Sequence, residues 1–264
     1  MFEKSYIIAH RGIHDNQTIY ENTLEAFKLA IKQKLIIELD VRLTKDNQII
    51  VFHDENTKRL TKQNNLVEES TYQELNNQNK FHIPLLSEVL DLVKGKVPLL
   101  IEIKPTNKHI EAILMKILSQ YQGEYAVQSF NPKVLYYLKR NYPNVLRGQL
   151  SHKYTNKKIS STKKFILSNM LFNFITKPNF ISYKYNELSP TQIEKYKKKN
   201  IRVIGWTITN EREFNHYKQY YDNLICEKNT IQQRYSPWKL TNNYPVTWQT
   251  NECMLQLISR KRGR

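Results

Sequence analysis

The sequence predicts an α/β protein whose parallel strands close into a somewhat irregular (β/α)8 barrel. Strand-like and helix-like segments alternate along most of the chain, which is the order that produces parallel strands covered by helices. Several strand-like runs end in charged or aromatic side chains, as strands do at the open face of such a barrel. At 264 residues the chain is long enough to form one large barrel or two small domains, and an open doubly wound sheet is the alternative fold.

The predicted strands are short runs rich in Ile, Leu and Val, and there are nine candidates. They lie at 7–10, 36–41, 49–53, 98–104, 125–130, 145–150, 179–183, 201–208 and 223–226. A barrel needs eight strands, and we expect 179–183 to be the irregular segment. Helices are predicted at 24–34, 85–93, 107–120, 132–140, 190–199 and 211–219.

Two parts of the chain depart from the regular alternation. A short polar turn separates the strands at 36–41 and 49–53, so no helix fits between them. Residues 55–84 are polar and weakly periodic, and we interpret them as a small insertion after the third strand. The barrel with its insertion is expected to occupy residues 1–235, followed by a basic C-terminal tail at 236–264.

The formal net charge of +17 is compatible with nucleic acid, an anionic membrane surface or a small phosphate-bearing substrate as partner. A non-enzymatic nucleic-acid-binding protein is the weakest alternative, because the sequence has no Gly-rich phosphate loop, helix-turn-helix, zinc-finger or aromatic ribonucleoprotein motif. No apolar run approaches the roughly 20 residues of a membrane span, and the first strand begins too early to leave room for a signal peptide. We therefore expect a cytoplasmic protein.

Residues 153–175 combine five lysines with an apolar run from Phe165 to Ile175. One interpretation is a buried helix beneath a solvated basic loop. The other is a segment that lies among the headgroups of an anionic membrane, which would make the protein peripheral at that membrane.

Three carboxylates, Glu38, Asp40 and Glu102, lie near the ends of two predicted strands. Like charges repel strongly where the dielectric is low, so a shared cavity requires a compensating cation. Ligation by oxygen alone favours one hard divalent cation, Mg²⁺ or Ca²⁺. The alternative is a salt-bridge network with the nearby cations Arg11, Arg42 and Lys104.

His10 and His53 end two separate predicted strands, and histidine changes its charge near neutral pH. One imidazole can accept a proton from an attacking oxygen while the other protonates a departing alkoxide, as displacement at a phosphodiester requires. Arg11 and Lys104 would bind the phosphate, the first through its planar guanidinium and the second as a point charge. His82, His109, His152 and His216 are interpreted as surface or loop residues.

A series of short motifs resembles the glycerophosphodiester phosphodiesterase family in order and spacing, over about residues 5–230. The motifs are His10-Arg11-Gly12, Glu21-Asn22-Thr23, Glu38-x-Asp40-Val41, Leu43-Thr44-Lys45-Asp46, Val51-Phe52-His53-Asp54, Ile101-Glu102-Ile103-Lys104, Ser129-Phe130 and Trp206-Thr207. The resemblance implies a TIM-type barrel, dependence on a divalent metal, and hydrolysis of glycerophosphodiesters to sn-glycerol 3-phosphate and an alcohol.

The resemblance also assigns roles to individual residues. It makes His10 and His53 the general acid and base, and we expect Glu21, Phe130 and Trp206 to line the substrate site. The family's last strand often ends in Thr-Asp, where this chain has Cys226-Glu227 and so keeps a carboxylate. A lysophospholipase D-type phosphodiesterase, docked on a membrane through 153–175, remains the alternative enzyme.

Overall fold

The computed structural model describes residues 7–77, 81–106, 108–155 and 157–235. The chain divides into two compact units, Met1–Ile231 and Gln232–Arg264, and the barrel lies in the first. The predicted basic tail at 236–264 lies outside the described residues.

Among the described residues, nine strands form one sheet. They are β1 Ile7–Ala9, β2 Ile36–Leu43, β3 Ile49–Val51, β4 Leu99–Ile103, β5 Tyr125–Ser129, β6 Arg147–Ser151, β7 Phe180–Lys184, β8 Arg202–Ile208 and β9 Asn223–Cys226. All except β3 pair in parallel in the order β1, β2, β4, β5, β6, β7, β8 and β9, and β9 pairs with β1 to close the ring. The predicted (β/α)8 barrel is therefore confirmed.

The surplus strand is β3, which runs antiparallel to β2 with Val51 opposite Val41. The expectation that 179–183 would be irregular is wrong, because β7 is hydrogen-bonded to both β6 and β8. The connection from Leu43 to Ile49 is too short for a crossover, so the chain folds back on β2 as a hairpin.

Helices cover the outside of the barrel and build the insertion. They are α1 Leu24–Lys32, α2 Lys58–Thr61, α3 Tyr72–Asn76, α4 Leu86–Val93, α5 Ile110–Leu118, α6 Pro132–Asn141, α7 Ser161–Ser168, α8 Asn173–Thr176, α9 Pro190–Lys197, α10 Glu211–Tyr217 and α11 Lys228–Tyr235, with a 3₁₀ helix at Val67–Glu69. Polar side chains start several of them: Thr23, Asn131 and Ser189 each accept a hydrogen bond from a backbone N–H of the first turn.

The insertion after β3 contains α2, the 3₁₀ helix and α3. These short elements pack around their own apolar cluster of Ile50, Phe52, Val67, Leu75 and Ile83. Two members of this cluster, Ile50 and Phe52, belong to β3 or follow it directly, so the insertion is anchored to the hairpin.

One apolar layer fills the closed end of the barrel interior. It consists of Ile8, Ile36, Leu100, Ala126, Phe180, Ile204 and Ile225. β6 contributes Gly148 at the level of this layer, because a Cβ there would clash with the ring of Phe180. Since side chains alternate along a strand, the residues two positions further on also point inward, toward the open end. On β1, β2, β4, β8 and β9 these are His10, Glu38, Glu102, Trp206 and Glu227.

The apolar part of 153–175 forms α7 and α8, and α7 has no buried residue. The side chains of Phe165 and Phe174 are 61% and 75% exposed. The interpretation as a buried helix is therefore wrong. In the described part of the chain, no helix has the length and apolar character of a membrane span.

Candidate active site

The turn after β1 places His10 and Arg11 at the open end of the barrel. Arg11 has a φ of 54° and Gly12 a φ of 80°, both in the left-handed region. A Cβ on Gly12 would lie 2.8 Å from Cβ of Ala26, so only glycine lets this turn pack so closely on α1. The turn directs the backbone N–H of Arg11 to Oε2 of Glu38 at 3.0 Å.

Glu38, Asp40 and Glu102 meet in one buried cluster, where each offers an oxygen within 4.8 Å of the others. The register of β2 and β4 brings this about, because Asp40 lies directly opposite Glu102. Nζ of Lys104 lies 3.0 Å from Oδ1 of Asp40 and 2.6 Å from Oε1 of Glu102. Nε of Arg11 lies 3.2 Å from Oδ2 of Asp40. The three carboxylates and the two predicted phosphate-binding cations thus lie together.

Glu38 differs from Asp40 and Glu102 because it has no ion-pair partner in this cluster. Among the described residues, no lysine, arginine or histidine side chain forms an ion pair with Glu38, which accepts its hydrogen bond from the backbone of Arg11. Burial and the negative charges of Asp40 and Glu102 raise the pKa of Glu38 well above its ordinary value. A buried carboxyl group that has no ion-pair partner and lies beside two other carboxylates fits the donor set of a hard divalent cation.

The alternative prediction, a salt-bridge network of the three acids with Arg11, Arg42 and Lys104, is only partly formed. Arg11 and Lys104 pair with the acids, and their charges outweigh the effect of burial and lower the pKa of Asp40. Arg42, the third cation of that alternative, instead donates from Nε to the backbone oxygen of His53 at 2.8 Å.

The hairpin of β2 and β3 places His53 close to Asp40, because the N–H of the preceding residue, Phe52, donates to the backbone oxygen of Asp40 at 2.9 Å. Nδ1 of His53 lies 2.6 Å from Oδ1 of Asp54. Burial, assisted by the positive charges of Lys104 and Arg11, lowers the pKa of His53 to about 4. The imidazole is therefore neutral near pH 7.

His10 has a similar carboxylate partner. Nδ1 of His10 lies 2.6 Å from Oε1 of Glu227, and Nε2 of His14 lies 3.5 Å from Oε2 of the same residue. Burial alone would raise the pKa of Glu227, but the hydrogen bond and charge of His10 lower it below its ordinary value. The carboxylate that sequence analysis noted after the last strand thus contacts a predicted catalytic histidine.

Glu21 lies between two arginines rather than in the acid cluster. Its Oε1 is 2.7 Å from Nη1 of Arg11 and 2.6 Å from Nη2 of Arg59. Burial raises the pKa of Glu21, but the two arginines outweigh this effect and hold the pKa at about 2. Arg59 belongs to α2 of the insertion and also donates from Nε to Oδ2 of Asp54 at 2.6 Å. Sequence analysis missed Arg59 because α2 carries no motif and its position depends on how the insertion folds back.

An aromatic group completes the open end of the barrel. The ring of Phe130 is edge-on to Trp206 at 5.7 Å and to His152 at 5.9 Å. His152 also stacks on Tyr154 at 3.9 Å. His152 lies in the loop directly after β6, as predicted, but its ring packs within this aromatic group, which sequence analysis did not anticipate. Strand parity is the signal that would have found it, since it follows inward-facing Gly148 and Leu150 at spacings of two.

Residues 10–227 match the model of the glycerophosphoryl diester phosphodiesterase family. A glycerophosphodiester phosphodiesterase of Caldanaerobacter subterraneus is 30% identical over 227 residues, which cover 80% of this chain and 88% of that protein. The solved glycerophosphodiester phosphodiesterase of Thermotoga maritima has a TM-score of 0.70 at 25% identity, covering 87% of this chain and 97% of that one. A phosphodiesterase of Oleispira antarctica, solved with the product sn-glycerol-3-phosphate, has a TM-score of 0.71 at 22% identity, covering 86% and 94%.

Proposed function

The chain belongs to the glycerophosphoryl diester phosphodiesterase family, and we propose that it hydrolyses glycerophosphodiesters to sn-glycerol 3-phosphate and an alcohol. One observation carries this proposal: two histidine–carboxylate pairs and a buried acid cluster meet at the open end of one barrel. The relative from Caldanaerobacter subterraneus, named for this activity, matches over most of both chains.

Glu38, Asp40 and Glu102 would hold one divalent cation, Mg²⁺ or Ca²⁺. Their donor atoms are all carboxylate oxygens, which suit a hard cation, and a bound cation would offset the effects of burial and of repulsion by Asp40 and Glu102, which raise the pKa of Glu38. When bound, the cation supplies positive charge to the non-bridging oxygens of the phosphate.

His53 accepts the proton of the attacking oxygen as that oxygen forms its bond to phosphorus. Its lowered pKa keeps the ring neutral and able to accept, and Asp54 stabilises the imidazolium that results. His10 donates a proton to the alkoxide oxygen whose bond to phosphorus breaks, and Glu227 orients the ring of His10. The alcohol leaves neutral, the proton taken up by His53 passes to solvent, and His10 regains a proton from solvent before the next turnover.

Arg11 and Lys104 bind the phosphate, and Glu21 holds the guanidinium of Arg11 in position. Phe130 and Trp206 line the substrate site together with His152. Two attacking oxygens are compatible with this arrangement, that of water and that of the neighbouring glycerol hydroxyl. The second would pass through a cyclic phosphate, which ³¹P NMR during turnover would detect.

A panel of glycerophosphodiesters tests the proposal, with enzymatic detection of sn-glycerol 3-phosphate in Mg²⁺, in Ca²⁺ and in chelator. We expect release in at least one cation and loss of release in chelator. Undiminished turnover in chelator would refute the metal requirement. Failure of every glycerophosphodiester in both cations would refute the activity itself.

The exposed apolar residues of α7 and α8 favour a second candidate, a lysophospholipase D-type activity at a membrane. Such an enzyme uses the same phosphodiester chemistry on a substrate that carries an acyl chain. Release of choline and lysophosphatidate from lysophosphatidylcholine would support it. Turnover of water-soluble glycerophosphodiesters alone would exclude it.

A further inference from the structure

We propose that one flank of the barrel, the α6–α8 face, is a docking surface for an anionic phospholipid bilayer. The α6–α8 face consists of residues 131–141 and 157–177, which contain α6, α7 and α8. These residues lie outside the acid cluster and the two histidine pairs. Binding at this face is therefore measurable without turnover, and its failure is distinguishable from failure of the proposed activity.

The charge of the chain is concentrated around this face. Between Glu124 and Glu187 the sequence has eleven Lys or Arg residues and no Asp or Glu, and eight of the eleven lie in the α6–α8 face. This stretch therefore carries most of the formal net charge of +17. A surface without acidic residues attracts anionic headgroups over its whole extent, whereas alternating charges would largely cancel.

Apolar side chains are exposed in the middle of this basic region. Phe174, Phe165 and Tyr136 are 75%, 61% and 45% exposed, and Leu171, Phe172 and Ile175 also lie at the surface. Exposed Lys157, Lys158 and Lys163 precede or begin this apolar segment. Aromatic and aliphatic side chains flanked by lysines are typical of protein segments that lie in the membrane interface.

A groove of about 760 Å³ runs between α6 and the α7–α8 segment. Its apolar lining is formed by Pro132, Tyr136, Ile166, Leu167, Phe172 and Ile175, and the cations Lys133 and Lys163 lie at its edge. Asn131 also lines the groove and directly follows Phe130 of the active-site aromatic group. An acyl chain in this groove would lie close to the open end of the barrel.

Charge distinguishes the bilayer from a second copy of this chain as the occupant. Two copies docked through this face would bring two acid-free basic surfaces together, and like charges repel. An anionic bilayer supplies the opposite charge for the lysines and an apolar interior for the phenylalanines. The surface is thus complementary to acidic phospholipids in both respects.

Sedimentation of the full chain with phospholipid vesicles tests this proposal. We expect binding at low salt to vesicles of phosphatidylcholine mixed with phosphatidylglycerol, and much weaker binding to phosphatidylcholine alone. The triple variant Lys157→Gln, Lys158→Gln, Lys163→Gln should weaken binding about tenfold or more, since each lysine near an anionic surface contributes to affinity. The double variant Phe165→Ser, Phe174→Ser should also weaken it.

The matched control is the triple variant Lys195→Gln, Lys198→Gln, Lys199→Gln, which removes the same charge from exposed positions at and after α9. It should bind nearly as tightly as the unaltered chain. All variants should retain the rate on a water-soluble glycerophosphodiester, which verifies folding. No binding to the anionic vesicles, or equal losses in the two lysine variants, would overturn the proposal. A dimer in ultracentrifugation that Phe165→Ser, Phe174→Ser dissociates would identify a second copy as the occupant instead.

Discussion

Oε1 of Glu227 lies 2.6 Å from Nδ1 of His10, although the two residues are 217 positions apart in the sequence. The parallel pairing of β1 with β9 closes the barrel and aligns Ala9 with Cys226, so the two residues that follow become neighbours. Asp54 and His53 have the same separation of 2.6 Å but are adjacent in sequence. The carboxylate beside His53 is thus its neighbour in sequence, whereas the carboxylate beside His10 comes from the other end of the barrel sequence.

Glu227→Gln should lower kcat on a glycerophosphodiester by about 10- to 100-fold, because a hydrogen bond to a charged group contributes roughly 1.5 to 3 kcal/mol. Cation binding at Glu38, Asp40 and Glu102 should be unchanged, since Glu227 belongs to a separate group with His10 and His14. Steady-state kinetics measure the effect, and exposed Glu194→Gln on α9 is the control. An unchanged kcat would show that the ring of His10 needs no carboxylate.

In the metal-free protein, the imidazole of His53 should titrate near pH 4 in an NMR titration, because burial lowers its pKa to about 4. The unfolded chain then binds more protons than the folded one between that pH and the ordinary value of 6.5. The free energy of unfolding should therefore fall as the pH falls through this range. His53→Gln should remove this contribution. Titration close to 6.5 would contradict the burial of the ring.

A divalent cation should raise the Tm, by roughly 5 to 10 °C at a concentration a hundredfold above its Kd. Glu38→Gln should abolish this increase, because it removes one ligand of the proposed site. In the absence of metal the raised pKa of Glu38 makes the fold less stable as the pH rises above about 4.5. The variant should therefore be more stable than the unaltered chain at neutral pH without metal. Differential scanning fluorimetry measures both effects, and an equal metal-induced shift in the variant would place the cation elsewhere.

Arg59→Ala should loosen the insertion, because Arg59 joins α2 to Glu21 and Asp54. The loss of stability should be small, about 1 kcal/mol, since the arginine is 44% exposed and solvent screens its charge. Limited proteolysis should cut more rapidly within 55–77. Exposed Lys58→Ala, on the same helix, is the control. The stacking of Phe81 on Tyr20 at 4.3 Å is a second attachment, so equal cleavage rates would mean that this contact suffices.

Gly148→Ala should lower the free energy of unfolding by about 1 to 3 kcal/mol, the usual effect of overpacking a core. The added methyl group would clash with the ring of Phe180 in the apolar layer. Combining it with Phe180→Leu should recover part of the loss, because the smaller side chain gives the methyl group space. Chemical denaturation measures these changes, and strictly additive losses would contradict the steric explanation.

Local pattern was sufficient to predict the barrel and the position of the acid cluster and of His10 and His53 at its open end, because strand ends and their alternation are encoded in adjacent residues. It did not predict which of β3 and β7 belongs to the ring of eight strands, because both are similar short apolar runs. Whether such a run joins the ring or folds back depends on its partners, and Phe180 pairs with residues of β6 and β8 that are distant in sequence.

The same limit applies to residues whose surroundings come from elsewhere in the chain. Arg59 is an unremarkable residue of a polar helix until the insertion brings it to Glu21. The apolar run at 165–175 predicted burial, since most such runs are buried, but no neighbouring element covers Phe165 or Phe174 in the described part of the chain. Solvent exposure of an apolar run depends on what packs against it, and the run itself does not encode that.

The β2–β3 hairpin makes the chemistry sensitive to the length of one small turn. Phe52 packs in the apolar cluster of the insertion and His53 faces the opposite way, so their roles depend on the pairing of Val51 with Val41. An insertion or deletion of one residue between Leu43 and Ile49 would shift that pairing and exchange the two side chains. The enzyme would then lose the base proposed for it without a substitution of His53, whereas substitutions in the turn that preserve its length should leave the activity intact.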